Sequence, residues 1–557
     1  MNLAQYIAQF LADKKIRHVF GFQGGAIMKI IEELVATRRI EYLQNYHEQA
    51  SAFCADAYAR VTGNIGVALA TSGPGATNLI TGIANAQFDS IPTLFITGQD
   101  YTANVTKDNG ARQNGFQDLD IVSVVRPITK YAALVTDETR IRYELEKAYW
   151  LATSGRPGAV LLDIPIDVQF KNIEPEALEG FAGGSRPADA FETVGVVERI
   201  AQAKRPLILV GGGVRISGAQ DEVREFAALT GIPVVSTLNG LDVVEGNYGF
   251  AGLHGNTSGN LAVQNADLLL ALGVRFGQRQ VGKIPETYTR AHIVHVDIDQ
   301  NELQRIFPNE LAIKADVKAF VRALNANLRG ASRRDHGAWH ETIRVWVDKY
   351  RGNAYLNKEC VDPVRAVEAI LPFLSSQAIL TNDVGQNQMW VAQGFRVRTG
   401  QRLLNSCGLG SMGYSLPAAI GAKAAFPDRQ VIAFTGDGGL QMNVQELLFV
   451  GQRQLGIKCI VFNNNTLGMM REVQRRYYDG HYHGANLKEF RCADLEKLAA
   501  TYDIGYRRVE ALADFARFRS VFADDNPYII DIAVAFDSQL SNRYDETKFF
   551  DTERIDG

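Results

Sequence analysis

Val431-Ile432-Ala433-Phe434, then Gly436-Asp437-Gly438, then Ile457-Lys458-Cys459-Ile460-Val461-Phe462 running into Asn463-Asn464, is the stretch that decides the fold. The two apolar runs read as buried parallel strands. Residues 440–454 between them have helical length and spacing, with Leu440, Leu447, Leu448 and Leu455 near one face. A strand–turn–helix–strand unit places Asp437 and Asn464, 27 positions apart, at the same end of neighbouring strands. Adjacent strands lie about 5 Å apart. Two oxygen ligands on one Mg²⁺ at about 2.1 Å sit within about 4 Å of each other, so the spacing suits a single ion. The glycines let backbone approach closely, and the helix start after Gly438 offers N–H groups to a phosphate. A lone Gly-Asp-Gly is usually an ordinary turn; Asn464 at this distance makes it more.

The pattern of Gly436, Asp437, Gly438 and Asn464 resembles the thiamin diphosphate (ThDP) motif. A second piece lies far upstream, where Tyr46-His47-Glu48-Gln49-Ala50 follows a strand-like Ile40-Glu41-Tyr42-Leu43 and opens a helical run over 52–60. Alone, Glu48 is an acid at a positive helix end. ThDP enzymes need one carboxylate against the N1′ edge of the aminopyrimidine, so that the opposite nitrogen can take a proton from the thiazolium ring. Glu48 fits that role.

Together these features resemble the FAD-containing acetohydroxyacid (acetolactate) synthase large-subunit family over nearly the whole chain. The matching stretches begin with Phe20-Gly21-Phe22-Gln23-Gly24-Gly25-Ala26 and Thr71-Ser72-Gly73-Pro74-Gly75-Ala76-Thr77-Asn78. Phe116-Gln117 before Arg126-Pro127-Ile128-Thr129-Lys130 comes next. Asp383-Val384-Gly385-Gln386, Gly408-Leu409-Gly410-Ser411-Met412-Gly413 and Gln441-Met442-Asn443 complete the series. The resemblance implies an α/β fold of three doubly wound parallel-sheet domains. It makes Met412 the residue that bends the cofactor, and lines the reaction centre with Gly25 and Gln117. Gln386, Asn387, Gly410, Gly436, Gly438, Met442 and Met469 would hold ThDP, although the family more often has His where Asn387 stands. Asp437, Asn464 and the Thr466 carbonyl would hold Mg²⁺. Glu48 of one subunit would complete the site of another, giving a homodimer or homotetramer.

Composition agrees. The 557 residues suffice for three domains, and 46% hydrophobic with 22% charged residues is ordinary for a globular protein. A net charge of −4 gives no reason to invoke nucleic acid or an anionic membrane. Five cysteines, Cys54, Cys360, Cys407, Cys459 and Cys492, have neither Cys-x-x-Cys nor zinc spacing and read as reduced, mostly core residues. The start, Met1-Asn2-Leu3-Ala4-Gln5-Tyr6, opens an amphipathic helix without a basic, apolar leader, so the expected compartment is the cytoplasm. A Gly/Pro-rich stretch over 171–190, including Pro187, and a charged one over 329–340 read as linkers. They divide the chain into a pyrimidine-binding domain (1–170), a central domain (190–330), a diphosphate-binding domain (355–535) and a tail (536–557).

In the centre, Pro206-Leu207-Ile208-Leu209-Val210 runs into Gly211-Gly212-Gly213, followed by a helical run from Asp221. Ile216 stands where a dinucleotide fingerprint would need its third glycine, so the motif by itself gives only a tight strand-to-helix turn. The family resemblance adds FAD contacts at Arg156, Gly212, Gly213, Thr237, Leu238, His254, Gly273, Arg275, Arg279, Asp297, Asp316 and Val317. The family's two acids before the last Arg are here Gly277 and Gln278. FAD is expected in a structural role.

The acceptor side departs further. Val473 stands where the family usually has a pocket-narrowing Trp, and Ile166 where it has Lys. With Phe116, these make an acceptor pocket that has gained room and lost a cation. The expected activity is a ThDP/Mg²⁺-dependent transferase that decarboxylates pyruvate and passes the two-carbon unit to a carbonyl acceptor. That acceptor is either pyruvate, giving acetolactate, or a bulkier ketone such as a nucleotide keto-deoxysugar. The alternatives are an FAD redox-active pyruvate oxidase and a catalytically silent assembly subunit; intact Glu48, Asp437 and Asn464 oppose the last.

Overall fold

The computed structural model describes residues 1–105, 108–184, 191–330, 334–352, 360–540 and 553–555. Three parallel sheets follow one another along the chain. The first holds β1 (His18–Gly21), β2 (Glu41–Gln44), β3 (Gly66–Ala70), β4 (Thr93–Gln99), β5 (Tyr131–Leu134) and β6 (Ala159–Pro165), in the order β2-β1-β3-β4-β6-β5. The second holds β7 (Pro206–Val210), β8 (Val234–Ser236), β9 (Leu268–Leu272), β10 (His292–Asp297) and β11 (Leu311–Lys314), in the order β11-β10-β9-β7-β8. The third holds β12 (Ile379–Asn382), β13 (Arg402–Asn405), β14 (Val431–Gly436), β15 (Ile457–Asn463), β16 (Gly505–Val509) and β17 (Tyr528–Ala533), in the order β13-β12-β14-β15-β17-β16. The first and third orders are the same permutation. Central strands such as β3, β4, β7, β9 and β15 are buried along their whole length, which is why they read as continuous apolar runs. The three-domain α/β fold is as expected.

The outer domains meet through equivalent helices, Glu48–Thr62 after β2 and Ser415–Ala425 after β13. Both are rich in Ala and buried over most of their length, so their backbones can come very close. At Gly421 there is no room for a side chain, because a Cβ would stand 2.2 Å from the Cys54 carbonyl oxygen. One continuous apolar core runs through both domains, joining Phe53, Ala57 and Phe95 to Tyr414, Ala418 and Val461.

Several expectations are corrected. The helix over 440–454 is two helices, Asp437–Met442 and Glu446–Gln452, interrupted around Asn443. Asn443 turns its side-chain amide onto the Gly413 carbonyl (2.9 Å) and the Gln49 side chain (3.3 Å), and so ties the break to both outer domains. The helical run from Asp221 starts at Gln220 and is preceded by the short Gly212–Ile216 helix. The charged stretch over 329–340 is not all linker: helix Gly337–Lys349 begins inside it and buries Trp339, Ile343 and Trp346. Pro187, residues 331–333 and most of 536–557 lie outside the described residues. The N-terminal helix spans Leu3–Asp13, capped by Asn2. Cys54 and Cys459 are buried, the other three cysteines half-buried, and all five are free thiols. Among the described residues, no helix is long and apolar enough to cross a membrane.

Candidate active site

The third sheet gathers one half of the site at the carboxyl ends of its strands. β14 and β15 pair in parallel with Gly436 opposite Phe462, so Asp437 and Asn464 leave neighbouring strands at the same edge. Asp437 is buried; its Oδ1 accepts from the Gly438 N–H at 2.9 Å, while Oδ2 is buried without a hydrogen-bond partner. Burial pushes this carboxyl up to about 7, against the opposing pull of the N–H groups of Gly438, Asn465 and Thr466. A buried, unsatisfied carboxylate oxygen is costly unless a cation or proton meets it. Among the described residues no cluster of three His, Cys, Asp or Glu stands ready for a metal. Nearby, the Asn464 side-chain oxygen accepts from Thr466 N (3.4 Å) and the Thr466 carbonyl accepts from Gly468 N (3.0 Å); both are oxygens of the hard type that Mg²⁺ takes.

Gln386, Asn387 and Met412 come close to Gly468, Gly436 and Gly438 respectively. Gln386 and Asn464 meet over Gly468, where a Cβ would stand 2.0 Å from Gln386 Oε1 and 2.8 Å from Asn464 Nδ2. Gln386 also donates to the Ser538 carbonyl at 3.0 Å. Asn387 donates to the Asp383 carbonyl (2.8 Å), and its Oδ1 lies 3.1 Å from the place of a Cβ on Gly436. The Met412 Cε lies 3.5 Å from the corresponding point on Gly438, which puts its methyl end over the Gly436-Asp437-Gly438 loop. Asp383 holds the loop carrying Met412 by accepting from Gly413 N (2.9 Å) and Ser415 N (3.0 Å); burial pushes its carboxyl to about 6. Gly410 is in the left-handed region of the same loop, Met442 is exposed beside Gly413, and Met469 is half-buried against the C-terminal core.

The first sheet gathers the other half. Glu48 is the first residue of its helix, is buried, and accepts a hydrogen bond from Asn78 Nδ2 at 2.9 Å. Its Oε1 lies 3.2 Å from the place of a Cβ on Gly75, whose other neighbour is Thr71. Thr71 Oγ1 accepts from Ala26 N (3.3 Å), next to Gly25, which faces open space. Gln117, at φ 60°, lies against Gly73. Gly25, Glu48 and Gln117 therefore surround one turn, residues 71–78. Phe116 beside them is 85% exposed. Ile166 starts the short helix after β6, and Val473 lies on helix Gly468–Tyr477; both are half-buried.

A cavity of about 1580 Å³ opens where residues of all three sheets' domains meet. Arg156, Gly212, Gly213, Thr237, Leu238, Gly273, Arg275, Arg279, Asp297, Asp316 and Val317 line it; His254 does not. His254 is instead a turn residue at φ 63° whose carbonyl accepts from Gln393 Nε2. Arg156 donates to Asp299 and Glu302, both at 2.9 Å, so acid and base here hold each other. Asp316 uses one oxygen to cap helix Val317–Leu328 through Ala319 N. Arg279 reaches across to Gln388 in the C-terminal domain at 3.2 Å.

Asp89 and Asn239 also line this cavity and were not singled out from the sequence. A signal was present: Asp89 ends helix Ile80–Asp89, where an acid opposes the helix dipole and must be held by something else.

Comparison with known proteins accords with this geometry. The N-terminal TPP-binding domain of thiamine pyrophosphate enzymes matches residues 1–124, their central domain residues 194–324, and their C-terminal TPP-binding domain residues 383–532. The acetolactate synthase large subunit of Cyanidium caldarium is 36% identical over 554 residues, covering 95% of this chain and 92% of the relative. Acetolactate synthase isozyme 2 large subunit of Escherichia coli K12 is 35% identical, with 96% of each chain covered. The chloroplastic acetolactate synthase of Arabidopsis thaliana is 36% identical, with 95% of this chain and 81% of the relative covered. The chain belongs to the acetolactate synthase large-subunit family and is a ThDP-dependent transferase of the carboligase type.

Proposed function

We propose that this enzyme decarboxylates pyruvate and passes the two-carbon unit to a carbonyl acceptor, with ThDP, Mg²⁺ and FAD bound. The observation that carries the reading is the partnerless, buried Asp437 Oδ2, at the strand edge it shares with Asn464 and next to Gly438, over which Met412 lies. Bound ThDP supplies the electron sink that makes decarboxylation of a 2-keto acid and carbon–carbon bond formation feasible. The chain's own contributions are binding, orientation and one proton position. Asp437, Asn464 and the Thr466 carbonyl hold Mg²⁺, and Gln386 and Asn387 orient the diphosphate. Gly410, Gly436, Gly438, Met442 and Met469 would shape the walls, and Met412 would support the cofactor between its two ends. Glu48 holds a proton at the aminopyrimidine N1′, while Gly25 and Gln117 line the mouth.

Glu48 keeps its hydrogen bond within its own domain, and its turn opens outward at Gly25 and Phe116. That supports a homodimer in which it serves the C-terminal half of a second copy. The large cavity takes FAD in a structural role: it exceeds the roughly 300–1,000 Å³ of drug-sized sites and brings Arg156, Arg275 and Arg279 to one space. The domains run over 1–170, 190–330 and 355–535, with helix Gly337–Lys349 packed into the core of the central one. At the acceptor side, Val473, Ile166 and Phe116 admit pyruvate or a bulkier ketone such as a nucleotide keto-deoxysugar.

Product analysis by mass spectrometry tests the reading, with pyruvate alone and then with added ketones and nucleotide sugars. Acetolactate, or an acceptor extended by two carbons, is the expected product. Flavin bleaching by pyruvate with turnover by an electron acceptor would replace it with an oxidase, and no CO₂ release would end it.

A further inference from the structure

The loop over 406–413 ends at Met412 and Gly413, over the metal loop, and begins in the large cavity at Cys407 and Gly408. Between these ends it is anchored to the N-terminal domain by one helix end. Asp89 Oδ2 accepts from Cys407 N (3.0 Å) and from Arg60 Nη2 (2.8 Å). Its Oδ1 accepts from Gly408 N (2.8 Å) and from Asn239 Nδ2 (3.5 Å). Asn85, four residues earlier on the same helix, accepts from the Ser411 hydroxyl at 3.4 Å and from that of Ser406 at 2.5 Å. Asn239 belongs to the central domain's turn Leu238–Gly240, and accepts from Cys407 Sγ at 3.0 Å. Asp89, Asn239, Cys407, Gly408 and Leu238 all face the cavity.

We infer that Asp89 is a positioning residue that couples occupancy of this cavity to the placement of Met412, so that filling either site tightens the other. The inference rests on the reading of the cavity as the FAD site. Its physical basis is that one buried carboxylate fixes two successive N–H groups of the loop and also holds the cavity's own turn. Left-handed Gly410 and Gly413 lie beyond it; these anchors set the cavity end of the loop, while Asp383 and Asn443 hold its far end at Gly413. A ligand that orders the Leu238–Gly240 turn therefore lowers the cost of ordering the Met412 end, and linkage makes the effect reciprocal.

The test is ThDP affinity in saturating Mg²⁺, titrated by protein fluorescence, for FAD-free and FAD-loaded protein. In the wild type, FAD should tighten ThDP on the order of tenfold, within the span of ordinary site–site coupling. Asp89→Asn should reduce that ratio to within about twofold of unity. Because Asp89→Asn also leaves Arg60 with one counter-charge fewer, Asn239→Ala provides a second variant that keeps every charge of the buried ion network. It should weaken the ratio, again read with FAD saturating. Failure of the wild type to bind FAD would overturn the flavin reading and the coupling with it. FAD binding with no effect on ThDP affinity, or an unchanged ratio in both variants, would overturn the coupling alone.

Discussion

The first and third sheets share one strand order, yet their carboxyl edges carry opposite equipment. In the third sheet the turn after β14 is Gly436-Asp437-Gly438; in the first, the equivalent turn after β3 is Thr71-Ser72-Gly73, without an acid. The helix after β2 opens on Glu48, whereas the equivalent helix after β13 opens on Ser415, behind Met412. The acid that serves that helix is Asp383, from the end of β12. One scaffold thus presents a carboxylate at the helix start, suited to a ring nitrogen. The other withdraws its carboxylates to the strand ends, suited to a cation and to backbone N–H groups. Function here is written in the edge residues, and the strand order is indifferent to it.

Substitutions can break this division. The largest effect is expected from Asp437→Ala, which removes the one acid of the proposed metal set: saturable Mg²⁺-dependent ThDP binding should vanish in calorimetric titration. Retained affinity would move the metal elsewhere. Glu48→Gln should leave ThDP bound but slow hydrogen–deuterium exchange at the thiazolium C2 by roughly 10²–10⁴-fold. Exchange at the wild-type rate would remove Glu48 from the proton path. Val473→Trp should lower kcat/KM for a bulky ketone acceptor by roughly 10–200-fold, the scale of steric selection in apolar pockets, and spare pyruvate decarboxylation. An equal loss for both half-reactions would place Val473 in the donor site or the core.

The smallest expected change touches stability, with no effect on chemistry. Glu446 accepts from Asn45 Nδ2 (3.0 Å) and Tyr46 N (2.9 Å) across the two outer domains, and burial pushes its carboxyl up to about 7. An acid whose pKa rises on folding binds more protons in the native state, so its contribution is full below about 4.5 and is lost as pH rises towards 7. In urea unfolding, the midpoint of Glu446→Gln relative to wild type should therefore rise between pH 5 and 7 and level off above. A constant difference would mean that Glu446 is charged throughout.

Local patterns were legible and cross-domain ones were not. Gly436, Asp437 and Asn464 could be placed because strand, turn, helix and strand are contiguous in the chain. The helix break at Asn443 was hidden, since its cause is a pair of hydrogen bonds to Gly413 and Gln49, far away in sequence. The helix from Gly337 was masked by surrounding charge, although Trp339, Ile343 and Trp346 are spaced for one buried face. In the cavity the glycine turns and arginines were reached through family resemblance alone, and His254, also reached that way, lies on a left-handed turn outside the cavity lining. Asp89 was missed because its partners Arg60, Cys407, Gly408 and Asn239 come from three domains.

The close approach of Gly421 to Cys54 also bears on how the enzyme breathes. Backbone in van der Waals contact with backbone cannot slide or tilt without losing the fit along both helices. The outer domains of one chain therefore move as a single block, with no hinge between them. Any gating for substrate entry and product release must fall to light peripheral parts that lack such a contact: the Thr102–Val105 turn, exposed Phe116, and the helix Gly468–Tyr477 that carries Val473. Turnover and acceptor choice would then be governed by the same few peripheral residues, so a change at Val473 that narrows selectivity should also alter the rate of product departure.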